Sequence, residues 1–259
     1  MTRDGDSANG KPGAPKIPAK DTLRPLPKRF YKHAAVEQRG GGFAVTLDGR
    51  GICTPGKREV VVPTADFAAA LAAEWDAQGE HVDPRTMPLT RIVNSAIDAV
   101  ETRKREVVDD IAAFAGSDLV CYRAESPDAL VRRQADAWNP VLAWAKRELG
   151  AAFELRAGLM PIDQPPEALD AVRRKLADLD ALSLSALHVL TTISGSALLA
   201  IAHWQGELSA DEAWRASTVD ETWQREQWGH DVEAEAHAAR RRAEFDAASR
   251  CLDYLRSRG

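Results

Sequence analysis

The 259-residue sequence has few cysteines and no cysteine pair of the kind that holds a metal or carries out redox chemistry. Cys53, Cys121 and Cys251 are scattered, odd in number and never arranged as CxxC. No apolar run of the length that a secretory signal needs lies near the N-terminus. We therefore expect reduced thiols in a cytosol-like compartment. Internal repeats are absent as well, which excludes a solenoid.

Basic residues are outnumbered by acidic ones after the first 32 positions. Residues 1–32 hold eight Lys/Arg against three Asp, a local charge of +5, and the remaining 26 bases and 36 acids give the rest of the chain −10. An acidic body excludes non-specific nucleic-acid binding, which needs a basic footprint. Residues 1–27 are predicted to be a disordered basic tail. Since this segment has the pattern of neither a signal peptide nor a mitochondrial presequence, we expect a bacterial cytoplasmic protein.

One long apolar run is present, at residues 182–202. It contains no Asp, Glu, Lys or Arg and is long enough to span a bilayer. It also contains His188, Gly195 and several Ser/Thr, and it lacks basic flanks. These features favour a central helix from Leu182 to Trp204 that other helices bury, with no membrane insertion.

Turn signals and hydrophobic periodicity predict an α+β fold. Phe43, Val45 and Leu47 alternate before Asp48-Gly49, which is a strong hairpin signal. The glycine run at 40–42, just before these residues, predicts a further turn. From Leu89 onward the pattern is almost entirely helical. We predict a small antiparallel β-rich N-terminal domain followed by a larger all-helical C-terminal domain. The predicted divisions are the tail at 1–27, the β-rich domain with one or two helices at 28–100, and the helical domain at 101–259.

Several helix boundaries can be predicted from capping chemistry. Thr64 is expected to cap the first helix. Ser126 is expected to cap a helix that opens with Pro127 in its first turn and runs to about residue 149. Thr218-x-x-Glu221 has the spacing of a capping box, which would place Glu221 in the first turn of the next helix.

Patterns for common catalytic chemistry are missing. The glycine run at 40–42 is followed by neither Lys-Ser/Thr nor a helix, so the sequence offers no phosphate loop. His230 and His237 are seven residues apart, about 10 Å along a helix, too far for one ion to reach both. No GxSxG occurs. We predict no cofactor, no metal and no catalytic residue, although paired carboxylates such as Glu221 and Glu226 leave an enzyme with an interdomain cleft as an alternative.

The most distinctive segment is DETWQREQWGHDVEAE, at residues 220–235. It combines Trp223 and Trp228 with six carboxylates and one internal base, Arg225. Gly229 is expected to end a helix after Trp228, and the last helix is predicted at about 231–256. Tryptophan provides large apolar area with one polar handle, which suits it to interfaces. We interpret this segment as an acidic, aromatic contact surface for another protein.

Seven blocks in order resemble a known family. They are RFYK (29–32), VTLDGRGICTPG (45–56), EWDAQGEHVDPRTMPLTRIVNSAID (74–98), SDLVCYRA (117–124), QADAWNPVLAW (134–144), GSALLAIA (195–202) and the segment 220–235. Together they resemble the assembly chaperone for the alpha subunit of the catalytic sector of F-type ATP synthase. The resemblance extends from about Arg29 to the C-terminus.

This resemblance implies an ATP-independent chaperone that binds the free alpha subunit, shields its beta-facing surface and promotes assembly of the catalytic sector. It also points to client-binding residues in the acidic segment, namely Glu221, Gln224, Glu226, Trp228, Asp231 and Glu233. Two other interpretations stay open from the residues alone. One is an enzyme that uses carboxylates between the two domains, and the other is a scaffold protein with a permanent partner.

Overall fold

The computed structural model describes residues 25–158, 160–161, 163–229 and 231–256. Most of the predicted tail, at 1–24, and His230 lie outside these residues. The α+β class is confirmed, because a small antiparallel sheet precedes a large helical part. One continuous hydrophobic core runs from Val45 of the sheet to Leu252 of the last helix. The predicted division near residue 100 stays a prediction.

The N-terminal sheet is built from hairpins whose turns lie at glycine-containing loops. Its strands are β1 (Ala34–Arg39), β2 (Gly42–Leu47), β3 (Arg50–Gly51) and β4 (Val61–Val62), with β2 pairing antiparallel to the other three. Gly40 and Gly41 have φ of 55° and 84°, and Asp48 and Gly49 have φ of 48° and 81°. Positive φ at both central residues of a two-residue loop matches the twist of a hairpin. Both predicted turns are therefore confirmed.

The helices follow, with one minor parallel strand pair between them. The helices are α1 (Ala65–Asp76), α2 (Pro88–Asp98), α3 (Lys104–Gly116), α4 (Asp128–Trp144), α5 (Pro166–Leu176), α6 (Ala181–Ser194), α7 (Ala197–Trp204), α8 (Ala210–Ser217), α9 (Val219–Trp228) and α10 (Val232–Arg256). The strand pair is β5 (Tyr122–Arg123) with β6 (Arg156–Ala157). Within the described residues, no helix has the length and apolarity to cross a membrane.

The predicted long apolar helix is wrong in one respect, because the run forms two helices. Gly195 adopts φ of 68° at the end of α6, and the hydroxyl of Ser196 then accepts a hydrogen bond from Leu199 N at 3.0 Å to cap α7. A left-handed residue ends a helix, and glycine adopts that conformation without steric cost. The prediction that other helices bury this run is confirmed, since seven of the eight residues of α7 are buried.

Two predicted caps are also wrong, while the first is confirmed. Thr64 caps α1 through Phe67 N at 3.3 Å. Pro127, not Ser126, precedes α4, and no side chain caps that helix. The Thr218 hydroxyl donates to Trp214 O at 2.9 Å, back toward α8, and therefore does not cap α9. The capping box forms one helix earlier, between Ser209 and Glu212.

Candidate client-binding surface

Helix α9 carries the centre of the predicted site and is held between α4 and α10. Its first residue, Val219, is buried, whereas Glu221, Gln224, Glu226 and Trp228 are exposed. A short helix with so little buried surface needs tertiary contacts to stay in place. Polar side chains of α4 and α10 supply these contacts.

Two of the predicted client-binding carboxylates already form ion pairs. Glu226 lies 2.9 Å from a guanidinium nitrogen of Arg133 in α4, and Glu221 lies 2.6 Å from one of Arg241 in α10. Both carboxylate side chains keep about half of their exposure, 46% for Glu226 and 50% for Glu221. Pairs this exposed contribute about 0–1 kcal/mol to stability. They orient α9 without removing its charges from solvent.

A buried glutamine joins the same helix to the segment before α4. Gln134 is 2% exposed, and its amide donates to Asp220 Oδ1 at 2.7 Å while accepting from Ala124 N at 2.8 Å. Its backbone carbonyl accepts from Arg123 at 3.0 Å. Desolvation lowers the pKa of the half-buried Arg123 guanidinium, which lies 5.1 Å from the Trp138 ring centre. Gln134 is a site residue that the sequence did not suggest.

The junction between α9 and α10 exposes large apolar side chains. Trp228 is 80% exposed and Val232 is 82% exposed. Gly229, with φ of 92°, ends α9 between them. Exposed apolar groups rimmed by charge mark interaction sites when they lie together. Trp228, which the resemblance points to as a client-binding residue, therefore lies on the surface and is open to a partner.

The remaining predicted residues lie at the start of α10. Asp231 accepts a hydrogen bond from Glu233 N at 2.9 Å and thereby caps this helix. Glu233 lies in the first turn, where the helix dipole favours a carboxylate. Ala234 in the first turn is exposed, and burial along α10 begins only at Phe245. The first turns of α10 thus lie open to solvent.

A groove of about 690 Å³ separates α9 from the chain around residues 122–127. Its apolar wall comes from Trp223, Trp228, Tyr122, Pro127 and Leu130. Of the predicted residues that the structure describes, Gln224 and Trp228 line this groove, whereas Glu221, Glu226, Asp231 and Glu233 lie outside it. The site is therefore an aromatic groove with a separate set of carboxylates around it.

The buried acids of this protein serve structure rather than this site. Burial raises the pKa of Asp118 to about 6, although Val120 N and Leu198 N both donate to its carboxylate. Burial likewise raises the pKa of Glu74, which accepts from Leu89 N at 2.7 Å at the start of α2. Both side chains occupy helix N-termini, as expected for capping carboxylates.

The fold is shared with known chaperones, as comparison with other proteins shows. Residues 28–146 match the model of the ATP12 chaperone protein. The mitochondrial protein atp12 of Schizosaccharomyces pombe is 24% identical over 250 residues, which span 88% of this chain and 86% of that protein. The crystal structure of Atp12 from Paracoccus denitrificans is 41% identical, with a TM-score of 0.79 over 88% of this chain and 97% of that one.

A third relative is the Atu1473 protein, a putative chaperone from Agrobacterium tumefaciens. It is 46% identical, with a TM-score of 0.84 over 90% of this chain and 87% of that one. Identity at this level across most of both chains establishes common family membership. The chain belongs to the ATP12 chaperone family, which confirms the resemblance drawn from the seven sequence blocks.

Proposed function

We propose that this protein is an ATP-independent chaperone that binds the free alpha subunit of F-type ATP synthase. It shields the surface of alpha that later faces beta, and so promotes assembly of the catalytic sector in the bacterial cytoplasm. Family membership supports the chaperone class, and bacterial relatives support the setting. The observation that carries the proposal is the junction between α9 and α10. It exposes the apolar side chains of Trp228 and Val232 between two helices that carry carboxylates.

An unassembled subunit exposes the apolar surface that its partner will cover, which is an aggregation hazard. Trp228 and the groove wall supply apolar contact area to a chaperone for such a surface. Glu221, Gln224, Glu226, Asp231 and Glu233 supply polar contacts that orient the client and speed its capture. The half-exposed ion pairs of Glu221 and Glu226 leave both carboxylates accessible to a basic client residue.

An enzyme and a permanent scaffold have less support. Among the described acids of 220–235, only Asp220 lines the groove, where Glu125 is the other carboxylate. The Asp220 carboxylate already accepts a hydrogen bond from the buried Gln134 amide at 2.7 Å, which favours a structural role over general acid–base catalysis. A permanent partner would require a large, mainly apolar interface, whereas seven of the ten side chains of α9 are polar and four of these are charged.

Co-purification with the separately expressed alpha and beta subunits of the cognate synthase tests the proposal. We expect selective capture of alpha and suppression of the light scattering that alpha alone develops. A Trp228→Ser variant should lose capture but keep its fold, because Trp228 is 80% exposed. Equal indifference to both subunits would overturn the assignment of alpha as client.

A further inference from the structure

A second aromatic pocket lies in the β-rich part, between β3 and the chain just before β1. It encloses about 600 Å³. Its apolar wall includes Phe30, Tyr31, Leu47, Ile52 and Trp75. Phe30 is 75% exposed, an unusual position for a phenylalanine that nothing in the described fold covers.

The exposed ring stands on a rigid support. Phe30 packs edge-to-face against Tyr31 with ring centres 5.3 Å apart, and Tyr31 packs against Trp75 at 5.8 Å. The Tyr31 hydroxyl donates to Trp75 O at 2.6 Å. The Arg29 side chain donates to the carbonyls of Tyr31 at 3.1 Å and of Lys32 at 2.9 Å. Its backbone N donates to Glu80 O at 2.8 Å, so the backbone on both sides of Phe30 is fixed. A preorganised aromatic side chain loses little entropy when it binds a partner.

The charges around this pocket are basic, in contrast to the acidic body of the chain. The side chain of Arg50, in the wall, makes no ion pair or hydrogen bond within the residues that the structure describes, and Lys28 and Lys32 lie close to Phe30 and Tyr31 in the chain. Asp48, also in the wall, is already occupied, because its carboxylate accepts from Lys32 N and His33 N, both at 3.0 Å. These N–H donors lower the pKa of Asp48. The charges that are free to bind a partner here are therefore positive.

We propose that this pocket is a second client contact, which binds an extended acidic segment of the alpha subunit. An apolar side chain of that segment packs against Phe30, and a neighbouring carboxylate pairs with Arg50. The inference rests on the proposed function and assigns the β-rich part a direct role in binding. Because α9 is acidic and this pocket is basic, a client that contacts both must present a basic and an acidic segment in one fixed orientation.

Cys53 provides a probe in the native sequence. It is an exposed cysteine in the wall of the pocket, whereas Cys121 and Cys251 are buried. Burial raises the pKa of Cys121 to about 12 and raises that of Cys251 further, so thiol reagents will modify Cys53 first. Mass spectrometry of the peptide that carries Cys53 then reports access to the pocket in the free protein and in its complex with alpha.

We expect alpha to slow modification of Cys53, and Phe30→Ser and Arg50→Glu each to weaken alpha binding about tenfold or more. Arg105→Glu makes the same charge change at an exposed position of α3 and should leave binding unchanged. Far-ultraviolet circular dichroism should match the wild type for all three variants, since their side chains are exposed. Each affinity is measured with the full chain and purified alpha subunit.

Two results would overturn the inference in distinguishable ways. If alpha is captured while Cys53 stays equally reactive and both pocket variants bind normally, the pocket is not a client contact and the proposed function stands. If alpha is not captured at all, the proposed function fails, and the pocket loses its assigned occupant with it.

Discussion

Replacing Glu226 by lysine should separate client capture from folding. The change breaks the 2.9 Å ion pair with Arg133 and places two cations side by side. The two side chains are 46% and 39% exposed, so solvent screens both the lost attraction and the new repulsion. We expect a loss of about 1 kcal/mol in the free energy of unfolding. For a chain of this size, that corresponds to a melting temperature lower by about 2–4 °C.

The effect on capture should be much larger, because a charge that a client contacts is desolvated in the complex. Loss of such a contact typically costs 2 kcal/mol or more, which is about thirtyfold in affinity. Titration of purified alpha subunit against the variant measures this loss, and thermal unfolding of the variant alone measures stability. The expected result is a folded protein with a small shift in melting temperature and severely weakened capture.

The exchanged double variant Glu226→Lys with Arg133→Glu is the matched control. It restores an ion pair between the same two positions and leaves net charge unchanged, but it moves the cation onto α9. Melting temperature should recover, while capture should stay weak. If the exchange restores both properties, the client does not contact Glu226 and the single variant acts through local stability. Normal binding of alpha by the single variant would refute the assignment directly.

Four further predictions concern stability and reactivity. Burial raises the pKa of Asp118 from 3.8 to about 6, so its contribution to stability is full below pH 3.8 and is lost as pH rises through 6. Relative to Asp118→Asn, the wild type should lose about 2 kcal/mol between pH 4 and pH 7 in denaturant titrations, and a pH-independent difference would contradict this. Trp138→Phe should cost about 2–4 kcal/mol in the same assay, because it empties buried volume and leaves Ala216 O without its 2.7 Å hydrogen bond. Gly195→Ala should lower the free energy of unfolding by about 1 kcal/mol through backbone strain alone, because the added Cβ would lie 3.9 Å from its nearest neighbour and would not clash. A loss several times larger would contradict this explanation. A maleimide should modify one thiol per native chain, at Cys53, and rapid labelling of Cys121 would show that its surroundings open.

The elements that the sequence predicted well are those specified by local backbone chemistry. Positive φ at Gly40 and at Asp48-Gly49 is required by two-residue hairpins, and few other residues tolerate it. Two helix ends are also set by local chemistry. The Thr64 side chain caps the start of α1, and Gly229 ends α9 at a positive φ. The break at Gly195 was missed because a glycine within an apolar run is also compatible with a continuous helix, and tertiary packing decides between the two.

The candidate site was predictable in composition but not in arrangement. Residues 220–235 could be recognised as acidic and aromatic, and the exposure of Trp228 agrees with that interpretation. The partners of α9 lie far along the chain, with Arg133 separated from Glu226 by 93 positions and Gln134 from Asp220 by 86. Periodicity and spacing carry no information about such pairs, so the groove and its wall could not be foreseen.

The ion pairs of α9 bear on how a chaperone of this kind could release its client. A basic client residue that pairs with Glu226 must displace Arg133, and one that pairs with Glu221 must displace Arg241. In each case one exposed ion pair is exchanged for another. The net gain from such an exchange is small, because each exposed pair contributes only about 0–1 kcal/mol. The larger loss expected for Glu226→Lys measures a different quantity, the cost of leaving the basic client residue unpaired and facing a second cation. Affinity would then come mainly from apolar contact at Trp228, while the carboxylates select the orientation of the client. A subunit that covers the same client surface with a larger interface could displace this chaperone without nucleotide hydrolysis.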